Sequence, residues 1–137
     1  MKNYFRTAID ELFTAPVYSL ESFSDDSPGW YGVDLDGVLA FYDDFKGDTV
    51  IGEPIPMMVN SVKDWLSQGI EVRIFTARVT EPNPDILQIR RAIEDWCFVN
   101  IGVKLAITNI KDKKMVMLFD DRAVRILKNK GVPCCGT

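Results

Sequence analysis

The sequence predicts an α/β fold, a three-layer α/β/α sandwich around a mostly parallel central sheet. Two observations carry this prediction. Short apolar runs rich in β-branched and aromatic residues alternate with longer segments whose apolar residues recur at helical spacing, so that strand, helix, strand, helix and strand follow one another. Polar side chains also stand where the strands end, and sites assemble at that edge in open parallel sheets. The order is that of a Rossmann-like fold.

The first predicted strand ends in two carboxylates. The apolar or small residues Trp30–Val33 are followed by Asp34 and, two positions later, by Asp36. Because residues two apart on a strand share a face, these carboxylates are expected to converge where the chain leaves the sheet, and Gly37 permits a sharp turn there. Surface turns and calcium loops have a similar pattern, but the apolar residues 38–41 supply no further oxygen ligands for Ca²⁺.

Two helices are predicted from apolar spacing and from their boundary residues. The first begins near Pro56 and stops at Gly69, and the second lies between Pro84 and Gly102. Their apolar positions are interpreted as core packing, with Met58, Val59, Val62, Trp65 and Leu66 on the first helix and Ile86, Ile89, Ile93, Trp96 and Cys97 on the second.

Two later strands also end in polar side chains. Val72–Phe75 is followed by Thr76, and Met117–Phe119 is followed by the pair Asp120 and Asp121. Each feature has an ordinary alternative, because threonine often caps the helix after a strand and an acidic pair often begins a turn. Three such endings in one short chain nevertheless favour a site at one sheet edge.

The link before the last strand raises a topological question. Residues 104–108 are a candidate strand, but only about seven residues separate it from the strand at Val116, whereas a parallel crossover usually takes a dozen or more. The segment is therefore an extended edge piece, or the link is a stretched tether. Lys111 lies in this link with Lys113 and Lys114, and any one of the three could be the lysine that reaches a site. A lysine run is, however, usually a solvated face.

Taken in order, the polar positions resemble the motifs of the haloacid dehalogenase-like phosphohydrolase superfamily. The resemblance covers residues 30–135 and rests on Asp34-Leu35-Asp36-Gly37-Val38, Thr76, Lys111 and Asp120-Asp121. It implies a Mg²⁺-dependent phosphomonoester hydrolase with an aspartyl-phosphate intermediate, and oxygen-only ligands suit Mg²⁺. A second Asp in the first motif argues against a dehalogenase.

The resemblance also implies a role for each residue. Asp34 attacks phosphorus, while Asp36 protonates the leaving oxygen and then deprotonates the hydrolytic water. Thr76 donates a hydrogen bond to the phosphoryl group, and Lys111 neutralises its charge. The expected metal ligands are Asp34, Asp36, Asp120 and Asp121, and which member of the last pair binds directly stays open. The expected substrate contacts are Thr76, Ala77, Arg78, Lys111, Tyr42 and Lys46.

No gap in the chain can hold the cap domain that this superfamily often inserts. Residues 40–55 form only a flap-sized loop, whose aromatic residues either line the substrate or pin a hairpin. Without a cap the site is open to water and to bulky substrates, unless another subunit or residues 1–29 cover it.

Absences exclude several other phosphate chemistries. The chain has no histidine, so it has neither a Ser-His hydrolase site nor a histidine phosphatase site. Cys97 has no arginine six residues later, which excludes a cysteine phosphatase loop there, and the other two cysteines lie too near the end of the chain. The lack of a glycine-rich loop with Gly-Lys-Ser/Thr excludes a P-loop NTPase.

One domain is expected over residues 1–137, with an N-terminal helix and connector, 1–29, before a catalytic core, 30–135. Phe5, Ile9 and Phe13 have helical spacing and either pack on the core or form a homodimer contact. The first residues lack the apolar run of a signal peptide, no segment is long enough to span a membrane, and three unpaired cysteines suit a reducing compartment. We therefore expect a cytoplasmic protein that does not bind membranes.

Three functions remain open from the sequence. The leading one is hydrolysis of a nucleotide or another small phosphate ester. The second is a polynucleotide 3′-phosphatase or a protein phosphatase, because Asp120-Asp121-Arg122 followed by Gly131-Val132-Pro133-Cys134 is similar to the 3′-phosphatase module of polynucleotide kinases. A net charge of −4 gives no general affinity for nucleic acid. Four basic residues either form a local strip beside the site or are an ordinary solvated surface, which is the commoner case, namely Arg122, Arg125, Lys128 and Lys130. The third is a non-catalytic binding module. Loss of Asp34 or Asp36 would have indicated such a module, and both residues are present.

Overall fold

Residues 28–134 are described by a computed structural model of the chain. Its elements are β1 (Trp30–Asp34), α1 (Pro56–Ser67), β2 (Glu71–Phe75), a 3₁₀ turn (Ala77–Val79), α2 (Ile86–Ile101), β3 (Ala106–Thr108) and β4 (Met115–Phe119). The expected N-terminal helix within residues 1–27, nearly all of its connector, and Cys135 lie outside the described residues.

The four described strands form one parallel sheet in the order β3-β2-β1-β4. β1 is central, with Asp34 paired to Phe75 of β2 and Val33 paired to Phe119 of β4. Because all neighbours run in the same direction, the carboxyl ends of the strands meet at one edge. The predicted α/β class and the mostly parallel sheet are confirmed.

Both helices cover the same face of this sheet. The connections β1-α1-β2 and β2-α2-β3 step in the same direction, so right-handed crossovers put both helices on one side. The interface between this face and the helices is a continuous core with Val33, Val62, Leu66, Val72, Ile74, Ile89, Ile93 and Cys97 fully buried. Burial raises the pKa of the Cys97 thiol to about 12, as expected for a core cysteine.

The helix boundaries follow the sequence signals. Pro56 is the first residue of α1, where its missing N–H costs nothing. Gly102 ends α2 with a φ of 99°, and its N–H donates to the carbonyl oxygens of Cys97 and Phe98. Neither described helix is long and apolar enough to cross a membrane.

Residues 109–114 cross the opposite face of the sheet. Trp30 Nε1 donates to Asp112 Oδ1 at 2.8 Å, and Arg73 Nη1 donates to Asp112 Oδ2 at 3.4 Å. The Arg73 guanidinium lies 4.5 Å from the Trp30 ring centroid and donates through Nε to Glu71 Oε2 at 2.8 Å. In the part of the chain that is described, no helix lies on this face, so the link itself and these side chains occupy it.

The link is short for the distance that it spans. It joins β3 to β4 across three inter-strand spacings, about 14 Å, and also returns from the end of one strand to the start of the next. The link is not extended throughout, because Met115 N donates to Asp112 O at 3.3 Å and closes a turn over residues 112–115. Of the two sequence alternatives, the edge strand is therefore the one observed, since β3 has three residues and lies at the edge of the described sheet.

The flap within residues 40–55 is fastened at its base. Phe41 N donates to Glu53 O at 2.8 Å, and Ile55 N donates to Leu39 O at 2.7 Å. Trp96 of α2 donates through Nε1 to Gly52 O at 2.9 Å. The loop thus returns to the core immediately before α1 begins.

Candidate functional site

Three carboxylates meet at the carboxyl edge of the sheet. Asp34 is the last residue of β1, and Asp120 and Asp121 directly follow β4. One carboxylate oxygen from each lies within 4.8 Å of the others. The structure thus brings together three of the four expected metal ligands.

Burial and the neighbouring carboxylates change the acidity of Asp34. Its pKa is raised to about 7, first by burial, next by the negative charge of Asp120, and then by a hydrogen bond with Asp121. Such a cluster has excess negative charge and only oxygen donors, which is the chemistry that Mg²⁺ prefers. The residues present therefore fit a magnesium ion, which Asp34, Asp120 and Asp121 would hold.

Asp36 has a different environment from Asp34. The chain turns after β1, with Gly37 at a φ of 86° and its N–H donating to Ala40 O at 2.8 Å. The Asp36 oxygens both accept from Arg78, at 2.8 Å from Nε and 2.9 Å from Nη2. The side chain of Asp36 is accordingly outside the three-carboxylate cluster, and its expected role as a metal ligand gains no support from this position.

A cavity of about 240 Å³ lies beside the cluster. Its lining consists of Asp34, Asp36, Tyr42, Phe45, Thr76, Ala77, Arg78, Asp121 and Arg122. Tyr42 and Phe45 of the flap are 46% and 60% exposed, so the cavity opens to solvent on their side. Four of the six expected substrate contacts line this cavity, namely Thr76, Ala77, Arg78 and Tyr42.

Thr76 caps the 3₁₀ turn and also lines the cavity. Its hydroxyl accepts from Arg78 N at 3.1 Å, which caps the 3₁₀ turn, and its own N–H donates to Thr108 O at 2.9 Å. The residue is buried yet lines the cavity. Since a hydroxyl both accepts and donates, the Thr76 proton remains available to an oxygen in the cavity.

The expected lysines do not line this cavity. Lys46 pairs with Asp43 at 3.2 Å on the exposed surface of the flap and borders a neighbouring cavity. The carbonyl oxygen of Lys114 accepts from Trp30 N at 3.0 Å, at the start of β1 and about 13 Å of strand away from Asp34. Lys113 and Lys114, the alternatives to Lys111, thus lie toward the edge of the sheet where the strands begin. Lys111 is an exposed residue of the link between β3 and β4.

Two cavity residues were absent from the predicted site. Phe45 was expected only as one of the flap aromatics that line the substrate or pin a hairpin, and Arg122 only in the basic strip and in the likeness to the 3′-phosphatase module. Arg122 lines the cavity together with Asp121 and Arg78, so it is a basic side chain at the place where Lys111 was expected. The sequence signal for it was its position directly after an acidic pair at a strand end.

Comparisons with known proteins leave the family unassigned. No protein-family model matches the chain, and no curated protein matches it. One solved structure, of a conserved protein from Bacteroides thetaiotaomicron, aligns with 70% of this chain and 78% of its own, with 22% sequence identity and a TM-score of 0.49.

Proposed function

We propose that this protein is a Mg²⁺-dependent phosphomonoester hydrolase of the haloacid dehalogenase-like superfamily, acting on a nucleotide or another small phosphate ester through an aspartyl-phosphate. The observation that carries the proposal is the cluster of Asp34, Asp120 and Asp121, with one oxygen of each within 4.8 Å of the others, beside a cavity that Thr76 lines. Carboxylates this close repel one another, by about 4 kcal/mol per pair at an intermediate dielectric, and so favour a bound cation.

Each residue then has a defined chemical task. Asp34 attacks phosphorus, and the bond from phosphorus to the ester oxygen breaks as Asp36 gives that oxygen a proton. Asp36 next takes a proton from water, whose oxygen attacks the aspartyl-phosphate, releases inorganic phosphate and restores Asp34. Bound Mg²⁺ would supply positive charge against the phosphoryl oxygens.

The remaining lining residues support binding of the phosphoryl group. Thr76 has a hydroxyl proton to donate, and Arg122 is a basic side chain at the cavity. Tyr42 and Phe45 offer aromatic surface to the part of the substrate beyond the phosphate. A base or a sugar ring would suit such a wall, which favours a nucleotide among small esters.

A second candidate is hydrolysis of a terminal phosphate on a polynucleotide. The observation that favours it is the run of four exposed basic residues after the acidic pair, beginning with Arg122 at the cavity and continuing with Arg125, Lys128 and Lys130. A polyanionic substrate would be held there by contacts that weaken as salt rises. Salt-sensitive, saturable binding of an oligonucleotide with a terminal phosphate would separate this candidate from the first.

The test is release of inorganic phosphate from a panel of esters, from nucleotides to phosphorylated oligonucleotides, with Mg²⁺ or with EDTA. Asp34→Asn is the informative variant, because it removes the nucleophile and preserves shape. Asp64→Asn, an equal charge change at an exposed position of α1, is its control. We expect Mg²⁺-dependent release that Asp34→Asn abolishes and Asp64→Asn leaves intact. Silence across the panel would overturn the proposal in favour of a non-catalytic module.

A further inference from the structure

Arg78 is the most heavily hydrogen-bonded side chain at the site. Its Nε and Nη2 donate to the two oxygens of Asp36 at 2.8 and 2.9 Å, a bidentate pair. Hydrogen bonding to Asp36 is the main cause that raises the pKa of Arg78 above its ordinary value. The side chain of Arg78 is only 8% exposed, so this pair is largely shielded from water.

The other donors of Arg78 are used by the flap. Nη1 donates to Gly47 O at 3.0 Å and to Asp48 O at 2.7 Å, while Nη2 also donates to Val50 O at 2.9 Å. A guanidinium has five N–H groups, and all five of Arg78 are thereby engaged. No donor is left for a phosphate in this arrangement, although Arg78 lines the cavity.

Three backbone carbonyls converging on one cation are a specific arrangement. Without Arg78, each carbonyl oxygen would need a water molecule as its hydrogen-bond donor. The carbonyls carry no net charge, so the positive charge of Arg78 is balanced by Asp36. Within the flap, the Val50 amide donates to Gly47 O at 3.2 Å, so segment 47–50 is a turn whose carbonyl side faces Arg78. Arg78 thus joins this turn to the carboxylate of Asp36, two residues after the proposed nucleophile Asp34.

We propose that Arg78 is a positioning residue, which locks the flap turn 47–50 and the carboxylate of Asp36 into one unit. Its effect on turnover rests on the proposed function, whereas its effect on the flap does not. The lock fixes the wall that Tyr42 and Phe45 form on the cavity. It also leaves about two of the four lone-pair positions of Asp36 free for proton exchange with the substrate or with water.

The flap can be tested without any substrate. Hydrogen exchange of the Val50 amide and the other flap amides is compared in the wild type, Arg78→Met, and the control Arg91→Met, an exposed arginine on α2. We expect exchange in the flap to rise about tenfold or more in Arg78→Met, since hydrogen bonds to a charged group are lost, and to stay unchanged in Arg91→Met. Flap exchange equal to the wild type in Arg78→Met would overturn the proposal.

A second variant guards against misfolding. If Arg78→Met raises exchange throughout the core helices, the proposal is tested with Arg78→Lys instead. Lysine keeps the positive charge, but its single ammonium cannot make the five hydrogen bonds of the guanidinium. In a folded Arg78→Lys protein, raised flap exchange supports the lock and wild-type flap exchange rejects it.

Steady-state kinetics separate positioning from substrate binding. We expect Arg78→Met to lower kcat about 100-fold for a small ester, because the acid–base carboxylate loses its orientation, and to change KM less than about threefold. A large rise in KM with kcat preserved would instead identify Arg78 as a phosphate ligand and reject the positioning role. A wild type that hydrolyses nothing, with the flap loosened in Arg78→Met, would reject the proposed function and keep the lock.

Discussion

A Cβ atom added to Gly37 would lie 2.6 Å from Oδ2 of Asp121 and 3.1 Å from its Cγ. The turn that follows β1 therefore approaches the acidic pair that follows β4 closely, and a side chain at position 37 would fit only if the Asp121 carboxylate moved. From the sequence, the only reason for a glycine at position 37 was the sharp turn. The close approach to Asp121 adds a second reason for it.

Gly37→Ala is expected to displace Asp121 and to weaken Mg²⁺ binding at least about tenfold. Gly102→Ala is a matched control, because that glycine has a similar positive φ of 99° but nothing within 4 Å of the added atom. Both variants lose roughly 1–2 kcal/mol of stability from the backbone conformation. Calorimetric Mg²⁺ titration checks the difference, and equal affinities in both variants would show that Asp121 does not bind the ion.

The raised pKa of Asp34 predicts a pH dependence of metal binding. Since Mg²⁺ needs the ionised carboxylate, its affinity should rise about tenfold per pH unit up to about pH 7 and then level off. Calorimetric Mg²⁺ titrations at about pH 5.5, 6.5 and 8, on both sides of the Asp34 pKa, measure this change in affinity. Asp34→Asn should bind more weakly and with a flatter profile; an unchanged slope would assign the proton to another group.

The sign of the stability change follows from the same shift. Below the unfolded pKa of 3.8 both states carry the proton, but between that value and about 7 only the folded metal-free protein retains it. Its stability should therefore fall as pH rises through this window, and then stay level. Urea unfolding in EDTA checks it, with Asp34→Asn as the variant that removes this contribution.

Asp36→Asn should slow hydrolysis most for esters with poor leaving groups. The carboxyl group is expected to protonate the departing oxygen, and an acidic leaving group needs little such help. The measurement compares kcat/KM for alkyl and nitrophenyl phosphates in the variant and in the wild type. Equal slowing of both ester classes would contradict the role of Asp36 as the acid.

Single replacements by methionine should locate the cation that faces the phosphate. Arg122→Met is expected to lower kcat/KM by about 10- to 100-fold, since Arg122 lines the cavity. Lys113→Met should stay within about twofold, because it lies beside Asp112 and Lys114 toward the far edge of the sheet. Lys111→Met tests the remaining sequence prediction, and a loss larger than that of Arg122→Met would restore Lys111 to the site.

Arg73→Met should destabilise the protein by about 3–5 kcal/mol. The change leaves Glu71 buried without its partner, and the Oε1 atom of Glu71 already has no hydrogen-bond partner among the described residues. A double variant, Arg73→Met with Glu71→Leu, should recover most of the loss, because no buried unpaired charge remains and Asp112, which also loses Arg73, is 44% exposed. Urea unfolding measures both; a double variant as unstable as the single one would contradict the charge-burial explanation.

Local sequence signals predicted the framework well. Pro56 and Gly102 mark helix boundaries because their backbones restrict what can precede or follow, and Asp34 and Asp120 reach one edge because parallel strands must end together. These features depend on short-range geometry and on chain direction, which a sequence carries directly. The expected metal and catalytic chemistry remains a proposal on this framework.

The pairing of Arg78 with Asp36 had no such signal. The two residues are 42 positions apart, and their contact depends on how the flap folds back over the 3₁₀ turn. Lys111 likewise matches the third motif in order. The residues that follow it in the link, however, contact Trp30, since Asp112 Oδ1 accepts from Trp30 Nε1 and Lys114 O accepts from Trp30 N. The resemblance to the superfamily's motifs placed Lys111 at the site, but side-chain direction in loops is decided by tertiary contacts, and the cavity is lined by Arg122 and not by Lys111.

The link between β3 and β4 also bears on the geometry of the site. Residues 109–114 are joined to the start of β1 by two hydrogen bonds, from Trp30 Nε1 to Asp112 Oδ1 and from Trp30 N to Lys114 O, and these contacts hold the point where β4 begins to pair with β1. A register shift of one residue would turn every side chain of β4 to the other face of the sheet. The position of Asp120 and Asp121 relative to Asp34 therefore depends on contacts made by a segment that itself lies outside the cavity.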